Sequence, residues 1–208
     1  MLKQKVKRIL ILTRNKWGFS NSIKASRNSK KVILGNILNT KIQIQGDSDI
    51  FIKDGCRLRN ALILVRGNNN QVILEEGSFF SGRIELFGDN NTLKIGRNTK
   101  INGADFIIHN GTKVEVGSQC LFSTKIDIRT TDSHKIFNSE GERINSDRDI
   151  YIGEHVWIGR LVSVLKGAHI GDGSVIGSMS LVSGTIPNHV IAAGIPAKPI
   201  KEKIYWEE

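Results

Sequence analysis

The side chains that could perform acid–base chemistry are few in this chain. It contains five histidines and two cysteines among 208 residues. Imidazole takes up and releases a proton near neutral pH, so each histidine is a candidate proton acceptor. One of them, His134, lies within Asp132-Ser133-His134. Asp132 could orient the ring of His134, and a turn-forming role for this aspartate is an equally good interpretation.

A metal site is the alternative use for histidine and cysteine. The histidines form no close pair, acidic residues do not cluster with them, and Cys56 and Cys120 have no metal-like spacing. We therefore expect no metal and no disulfide framework. The two cysteines are interpreted as small, buried packing residues.

The composition limits the classes of partner. The formal net charge is +10 and the pI is about 9.8, which predicts attraction to polyanions such as acidic glycans, acidic lipid surfaces or phosphorylated cofactors. No nucleic-acid-binding motif is present, so nucleic acid is not expected as a partner. The apolar run at residues 9–12 is too short for a signal peptide or a membrane span, which predicts a cytoplasmic protein.

A six-residue period governs the C-terminal third of the sequence. Aliphatic residues recur at every sixth position, and the residue four places after each is small or β-branched. The aliphatic positions are Ile152, Ile158, Val164, Ile170, Ile176 and Val182. Neither a helix, with its period of 3.6, nor an alternating strand explains this spacing.

A longer period precedes it. Related units begin 21 residues apart at Gly46, Gly67, Gly88 and His109, each followed by a β-rich stretch and a turn. Three six-residue sides plus three further corner residues account for this length. Both periods therefore predict a three-sided column of stacked coils, joined by parallel backbone hydrogen bonds and filled by the aliphatic residues.

The periodicity also divides the chain. We expect the β-helix to span residues 32–198, interrupted by residues 131–149, which lack the repeat and should project as a loop. Residues 1–31 are strongly basic and are interpreted as an N-terminal extension, either a flexible arm or an amphipathic helix that caps the column. Residues 199–208 form a short C-terminal tail.

The six-residue register, the segment 152–159 (IGEHVWIG) and the segment 193–198 (AGIPAK) together resemble the hexapeptide-repeat acetyltransferases. Within that class the chain is most similar to the sugar and capsular polysaccharide O-acetyltransferases. The resemblance implies an all-β fold, namely a left-handed parallel β-helix. The spacing of residues alone does not determine the hand of the helix, so the hand comes from the resemblance. It also implies a homotrimer in which acetyl-CoA lies between neighbouring columns, and a bacterial glycan as acceptor.

The resemblance also assigns roles to residues. His134 occupies the position of the general base, and Trp157, at an outward position of its hexamer, lines the active site or, alternatively, packs in a trimer interface. A backbone N–H near Gly159 or Ser163 is a candidate oxyanion donor. The residues implied in acetyl-CoA binding are Gly159, Arg160, Ser178, Ser183, Gly184 and Lys198. The remaining histidines, at corner, turn or outward positions where a structural role suffices, are His109, His155, His169 and His189.

One departure from the family pattern affects phosphate recognition. Many relatives carry Thr-Lys-Asp before Ile-Pro, whereas this chain has Ser183-Gly184-Thr185. Phosphate binding would then depend on Lys198, with Arg160 or Lys166 as further candidates.

Several alternatives remain open at this stage. The basic charge could match an anionic acceptor containing sialic or uronic acid, or could hold the protein peripherally on an acidic membrane surface. N-acetylation of a nucleotide-linked amino sugar, acetylation of serine or an antibiotic, and a non-catalytic β-helix scaffold are the other functions considered. The first 45 residues contain no GxGxxG motif for nucleotide binding, which disfavours the first of these.

Overall fold

The computed structural model describes residues 10–11, 21–26 and 28–208. Within these residues all regular secondary structure is β-strand. This part of the chain also has no helix with the length and apolarity needed to cross a bilayer. The interpretation of residues 1–31 as an arm or an amphipathic helix lies largely outside the described residues.

The column has three faces, and the strands of each face pair in parallel with the equivalent strands of the next coil. In the described residues the first face has nine strands. These are β1 (Leu10–Ile11), β3 (Lys31–Ile33), β6 (Asp49–Ile52), β8 (Gln71–Leu74), β10 (Thr92–Ile95), β12 (Lys113–Val116), β15 (Ile150–Ile152), β18 (His169–Ile170) and β21 (Thr185–Ile186).

Three long strands each turn a corner and so contribute to both remaining faces: β7 (Arg57–Arg66), β9 (Phe79–Phe87) and β11 (Lys100–His109). Their N-terminal halves belong to the second face, with β4 (Asn36–Leu38), β13 (Leu121–Phe122), β16 (Trp157–Ile158), β19 (Val175–Ile176) and β22 (Val190–Gly194). Their C-terminal halves belong to the third face, with β2 (Ser22–Ala25), β5 (Lys41–Gln45), β14 (Ile126–Arg129), β17 (Ser163–Leu165) and β20 (Leu181–Val182).

The strand register confirms both sequence periods. Thr92 pairs with Gln71 and with Lys113, each 21 positions away. Trp157 pairs with Val175, so the later coils are 18 residues long, or three hexamers. A chain that closes one coil per period places equivalent residues directly above one another, which is why the aliphatic positions form continuous rows.

The core consists of those inward rows. The aliphatic positions of the six-residue register are all buried, and so are the small residues four places later, including Ala168 and Ser174. Cys56 and Cys120 are free thiols buried in the core, which confirms their interpretation as packing residues. Burial in these apolar surroundings raises the pKa of the Cys120 thiol to about 11, so it stays protonated at neutral pH.

Three corners join the faces, and each is named here by the faces it connects. The first corner leads from the first face to the second and includes residues 154–155, 172–173 and 188–189. The second corner leads from the second face to the third and includes residues 160–161 and 178–179. The third corner leads back to the first face and includes residues 68–69, 89–90 and 183–184.

Asparagines stabilise the upstream part of the third corner. Asn69 and Asn90 have φ values of 56° and 62°, a left-handed conformation that asparagine tolerates better than most residues. Beside them, the buried Asn91 donates a hydrogen bond from Nδ2 to Oδ1 of Asn70 at 2.9 Å. This ladder satisfies polar groups that would otherwise be buried without partners.

The paired strands extend further than the expected residues 32–198. Strand β2 pairs with β5, and β1 pairs with β3, so coil structure is present before residue 32. At the other end, β23 (Ala197–Glu202) continues past residue 198 and pairs with β22 in an antiparallel hairpin. Residues 131–149 form no strand and lie at the third corner, between β14 and β15.

Candidate functional site

His134 lies on the projecting loop, residues 131–149, and its side chain is exposed to solvent. The preceding residue, Ser133, has a φ of 67°, and its N–H donates a hydrogen bond to Oγ1 of Thr131 at 3.0 Å. A left-handed serine is an uncommon conformation that a tight turn must stabilise. This turn directs the chain outward at His134.

Asn145 connects the two sides of the loop at His134. Its Nδ2 donates hydrogen bonds to the backbone oxygen of His134 at 2.7 Å and to Oδ2 of Asp132 at 2.9 Å. Its Oδ1 accepts a hydrogen bond from the N–H of Ile136 at 2.7 Å. The Asn145 side chain is largely buried, so these bonds fix the backbone on both sides of His134. Sequence reasoning did not identify Asn145, because nothing periodic marks a residue within a non-repeating loop.

Asp132 is bound to Lys166 and Asn145. The Lys166 ammonium donates to Oδ2 of Asp132 and to the backbone oxygen of Asn145, the latter at 2.9 Å. The hydrogen bond from Lys166 lowers the pKa of the Asp132 carboxyl, and the one from Asn145 adds to this effect. Lys166 therefore attaches the loop to the third corner, and in this arrangement its charge is engaged by Asp132 and not free for a phosphate.

A second attachment lies nearer the column. Asp147 accepts hydrogen bonds from Nδ2 of Asn110 at 2.8 Å and from Arg143 at 3.1 Å. Burial raises the pKa of Asp147, but hydrogen bonds from Asn110, Thr131 and Arg143 outweigh this and leave the pKa lowered. Asp147 is thus held ionised. It links the loop to the end of β11 through Asn110, the residue that follows this strand.

Trp157 begins β16 on the second face. Its side chain points outward, as the register predicted, and is 42% exposed. In the parallel ladder it lies between Leu121 and Val175. On its open side is Trp206, whose ring centroid lies 5.9 Å from that of Trp157.

Within one chain, His134 and Trp157 lie at different corners. His134 follows the third face, whereas Trp157 comes immediately after the first corner, and the whole first face separates these two corners. A six-residue side at about 3.3 Å per residue is roughly 15–20 Å long.

Three of the residues implied in acetyl-CoA binding lie together at the second corner. Gly159 and Arg160 end one coil side, and the N–H of Arg160 donates to Oγ of Ser178 at 3.2 Å. A Cβ at position 159 would lie 2.7 Å from the backbone nitrogen of Ser178, so only glycine allows the coils to approach this closely here. Arg160 and Ser178 are exposed.

The other three occupy the third corner and the terminal hairpin. Ser183 and Gly184 are exposed at the third corner, and Lys198 is exposed on β23 in the terminal hairpin, opposite Ala193. The structure thus brings together Gly159, Arg160 and Ser178, and places Ser183 and Gly184 at a different corner of the same protomer. Lys198 lies nearer the first group, because Ala193, its partner in the hairpin, stacks on Gly177 beside Ser178.

The suggested oxyanion donors have other partners. The N–H of Gly159 donates to the oxygen of Ile176 at 2.8 Å, and the N–H of Ser163 donates to the oxygen of Ser180 at 2.9 Å. Both are therefore part of the coil-to-coil ladder and cannot also bind an oxyanion. Neither N–H supports the suggested role.

The remaining histidines have structural contacts or exposed positions. His109 ends β11 and packs its ring on Phe87, with centroids 5.4 Å apart. The sequence predicted a turn at His169, but in the structure this residue begins β18. His189 is at the first corner, and His155 at the same corner contacts the C-terminal tail. In the described residues, no group of three or more His, Cys, Asp or Glu side chains has the arrangement of a metal site.

Comparison with known proteins identifies a family and relatives that match much of the chain. Residues 149–184 match the family model described as bacterial transferase hexapeptide (six repeats). A polysialic acid O-acetyltransferase of Neisseria meningitidis is 33% identical over 72% of this chain and 68% of its own length. A putative lipopolysaccharide biosynthesis O-acetyl transferase of Escherichia coli strain K12 is 31% identical over 76% of this chain and 83% of its own length.

A solved structure agrees over nearly the full length. The crystal structure of the polySia-specific acetyltransferase NeuO matches with a TM-score of 0.84 and 33% sequence identity, covering 91% of this chain and 89% of that chain. The fold is accordingly the left-handed parallel β-helix that the sequence resemblance implied.

Proposed function

Because the chain belongs to the hexapeptide-repeat acetyltransferases, we propose that it transfers an acetyl group from acetyl-CoA to a hydroxyl of a bacterial capsular or lipopolysaccharide glycan. The observation that carries this proposal is an exposed His134 whose backbone oxygen accepts a hydrogen bond from the Asn145 side chain. The column beneath it resembles that of a polySia-specific acetyltransferase over 91% of the chain. The named functions of these relatives favour O-acetylation over N-acetylation of nucleotide-linked amino sugars and over a non-catalytic scaffold.

In the proposed reaction, His134 acts as the general base. Its imidazole takes the proton of the acceptor hydroxyl as the oxygen attacks the thioester carbonyl. The tetrahedral intermediate then expels the CoA thiolate, which receives the proton back from the imidazolium. One acetyl–sulfur bond is broken and one acetyl–oxygen bond is formed, with no other reactant.

Trp157 is proposed to line the same site, contributed by a neighbouring protomer of a homotrimer. The separation of His134 and Trp157 at different corners of one chain supports this arrangement. The loop also exposes Ile136, Phe137 and Ile144, which are 52%, 53% and 63% accessible. Three large apolar side chains on one projecting segment form a surface that a second protomer would cover.

For acetyl-CoA, we propose that Gly159, Arg160 and Ser178 contact the pantetheine arm along the second corner. Ser183, Gly184 and Lys198 would contact the adenosine portion. Ser183 and Gly184 lie at a different corner from the first group in one protomer, which is compatible with a groove between two columns. Arg160 and Lys198 are exposed cations that could pair with phosphate oxygens.

The acceptor is proposed to be anionic. The net charge of +10 would attract a polymer of acidic sugars, and relatives are named for polysialic acid. We further propose that the reaction takes place in the cytoplasm, where acetyl-CoA is made, and that the basic N-terminal residues could hold the enzyme at the acidic inner membrane surface.

A direct test measures transfer of labelled acetyl from acetyl-CoA to polysialic acid oligomers by mass spectrometry. His134→Ala should lower kcat by about 10²- to 10⁴-fold, the usual contribution of a general base. His169→Ala removes another exposed histidine, on β18, and serves as the matched control with an unchanged rate. Equal rates for the wild type and His134→Ala would remove His134 as the base.

A second measurement addresses the charge of the acceptor. For an anionic acceptor, KM should rise with salt concentration, because screening weakens attraction over a length of about 8–10 Å at physiological salt. KM for a neutral oligosaccharide of equal length should change little. Equal salt dependence for both would contradict an anionic acceptor.

A further inference from the structure

The chain that follows β23 folds back along the first corner of the column. We call residues 203–208 the strap. The N–H of Ile204 donates to the backbone oxygen of His189 at 3.0 Å, and further along the Lys100 ammonium contacts the Glu208 carboxylate at 2.7 Å. His189 and Lys100 belong to coils at different levels, so the strap runs parallel to the column axis and crosses several coil edges.

Trp206 is the centre of the strap. Its ring stacks on His155 with centroids 4.1 Å apart and planes 5° from parallel. Its Nε1 donates to the backbone oxygen of His155 at 3.0 Å, and Nε2 of His155 lies 2.9 Å from the backbone oxygen of Trp206. Since a carbonyl oxygen can only accept, the imidazole carries its proton on Nε2. Two reciprocal hydrogen bonds and one stacked pair thus join residues 51 positions apart.

His155 has a left-handed backbone conformation, as do the corner residues Leu161 and Met179. It is a non-glycine residue with a φ of 52° at the turn that leads into β16. The left-handed conformation is unfavourable for a histidine, and surrounding contacts must compensate for it. The strap supplies those contacts at the residue two positions before Trp157.

Trp206 also contacts Trp157 itself. Their rings lie 5.9 Å apart at 45°, a tilted arrangement that aromatic pairs favour. Leu121 and Val175 flank Trp157 along the ladder, and Trp206 closes a further side. Without it, a 42% exposed indole on a two-residue strand would have more rotamer freedom.

We propose that Trp206 is a positioning residue of the acetyl-transfer site, which orients the Trp157 indole through the His155 corner and by direct contact. This inference rests on the proposed role of Trp157 in that site. Trp206 acts through Trp157 and His155 and does not itself take part in the chemistry.

The first test compares Trp206→Ala, Trp206→Phe and Tyr205→Ala in the acetyl-transfer assay, at saturating acetyl-CoA with polysialic acid oligomers. Misplacement of a group by about 1 Å can cost about 100-fold in rate, so Trp206→Ala should lower kcat by roughly 10- to 100-fold. Trp206→Phe keeps the stacked ring but loses the Nε1 donor, so its kcat should be intermediate. Tyr205 is 75% exposed, and its replacement should leave kcat unchanged.

A double-mutant cycle identifies the route of the effect. If Trp206 acts through His155, then His155→Ala should lower kcat, and combining it with Trp206→Ala should lower kcat little further. Fully additive losses would contradict the shared route. Near-ultraviolet circular dichroism gives a readout independent of activity, because Trp206→Phe and Trp157→Phe should each abolish the same tryptophan-pair signal.

Two results would overturn the proposal. One is full kcat in Trp206→Ala, and the other is a loss of kcat that follows a lowered Tm in every strap variant, which would make the strap merely a stabiliser of the column. The companion variant Trp157→Phe separates this from the proposed function. If Trp157→Phe keeps full kcat, the role of Trp157 itself is wrong, whereas a loss in Trp157→Phe without a loss in Trp206→Ala rejects only the strap proposal.

Discussion

Asn145 donates a hydrogen bond to the backbone oxygen of His134 at 2.7 Å, from the opposite side of the projecting loop. The position of the proposed base therefore depends on a buried amide eleven residues away. Asn145→Leu should lower kcat/KM by roughly 10- to 100-fold, because the loop loses the bonds that fix the residues around His134. The Tm should change little, since the loop lies outside the stacked coils. Steady-state kinetics and thermal unfolding check both values.

The control for this variant is Ser139→Ala at the exposed tip of the same loop, which should retain wild-type kinetics. If Asn145→Leu were as active as Ser139→Ala, the hydrogen bonds made by Asn145 would have no role in positioning His134.

Lys198 is expected to form an ion pair with a phosphate of acetyl-CoA. Lys198→Ala should raise KM for acetyl-CoA roughly two- to fivefold, the effect of losing one exposed charge pair, and should leave kcat unchanged. KM for acetyl-pantetheine, which lacks the nucleotide phosphates, should not change. Lys201→Ala on the same strand, β23, is the matched control. Equal increases in KM for both donors would argue against phosphate recognition by Lys198.

Gly159 is required for close contact between coils. A methyl group at this position would lie 2.7 Å from the backbone nitrogen of Ser178, so Gly159→Ala should lower the free energy of unfolding by about 1–3 kcal/mol. Gly184→Ala adds the same methyl group where no atom lies within 4 Å, and its stability should match the wild type. Chemical denaturation of the two variants compares them, and equal stability would contradict the close packing at Gly159.

His109 should make stability depend on pH. Burial lowers the pKa of His109 below its ordinary value of 6.5, Asp147 opposes this shift, and Arg129 adds to it. Glu85 lies 3.7 Å from Nε2, but its carboxylate is paired with Arg83. The unfolded chain therefore binds more protons than the folded chain between the two pKa values, so the free energy of unfolding should decrease as pH falls below about 6.5.

The variant His109→Gln should flatten this dependence between pH 7.5 and pH 5, whereas His169→Gln, at an exposed position, should preserve it. Denaturation midpoints measured across this range provide the test. An unchanged slope in His109→Gln would mean that other groups cause the pH dependence.

The column itself could be predicted from the sequence, because the same spacing of aliphatic residues repeats in every coil. Each aliphatic residue at a sixth position occupies the same place in the core, so Ile158 and Ile176 need no long-range information to be assigned. The projecting loop was visible as the break in this period. The predicted start of the β-helix, residue 32, lies after the first strands of the structure, because the polar and basic composition before residue 32 obscures strands such as β2.

The contacts that shape the site could not be predicted in this way. Asn145 lies where no period exists, and the pairing of Trp206 with His155 joins positions 51 residues apart without any repeat to align them. Nor does spacing show that the N–H of Gly159 is already used within the ladder. Such contacts depend on how loops and tails fold onto the column, which the repeat does not encode.

In the proposed enzyme, the acetyl-transfer site takes His134 from one protomer and Trp157 from its neighbour. Coexpression of His134→Ala and Trp157→Ala chains, each inactive alone, tests it most directly. Random mixing in a ring of three should restore about one quarter of the wild-type acetyl transfer, because that share of sites receives both intact residues. Mixed oligomers that remain as inactive as either parent would contradict the shared site.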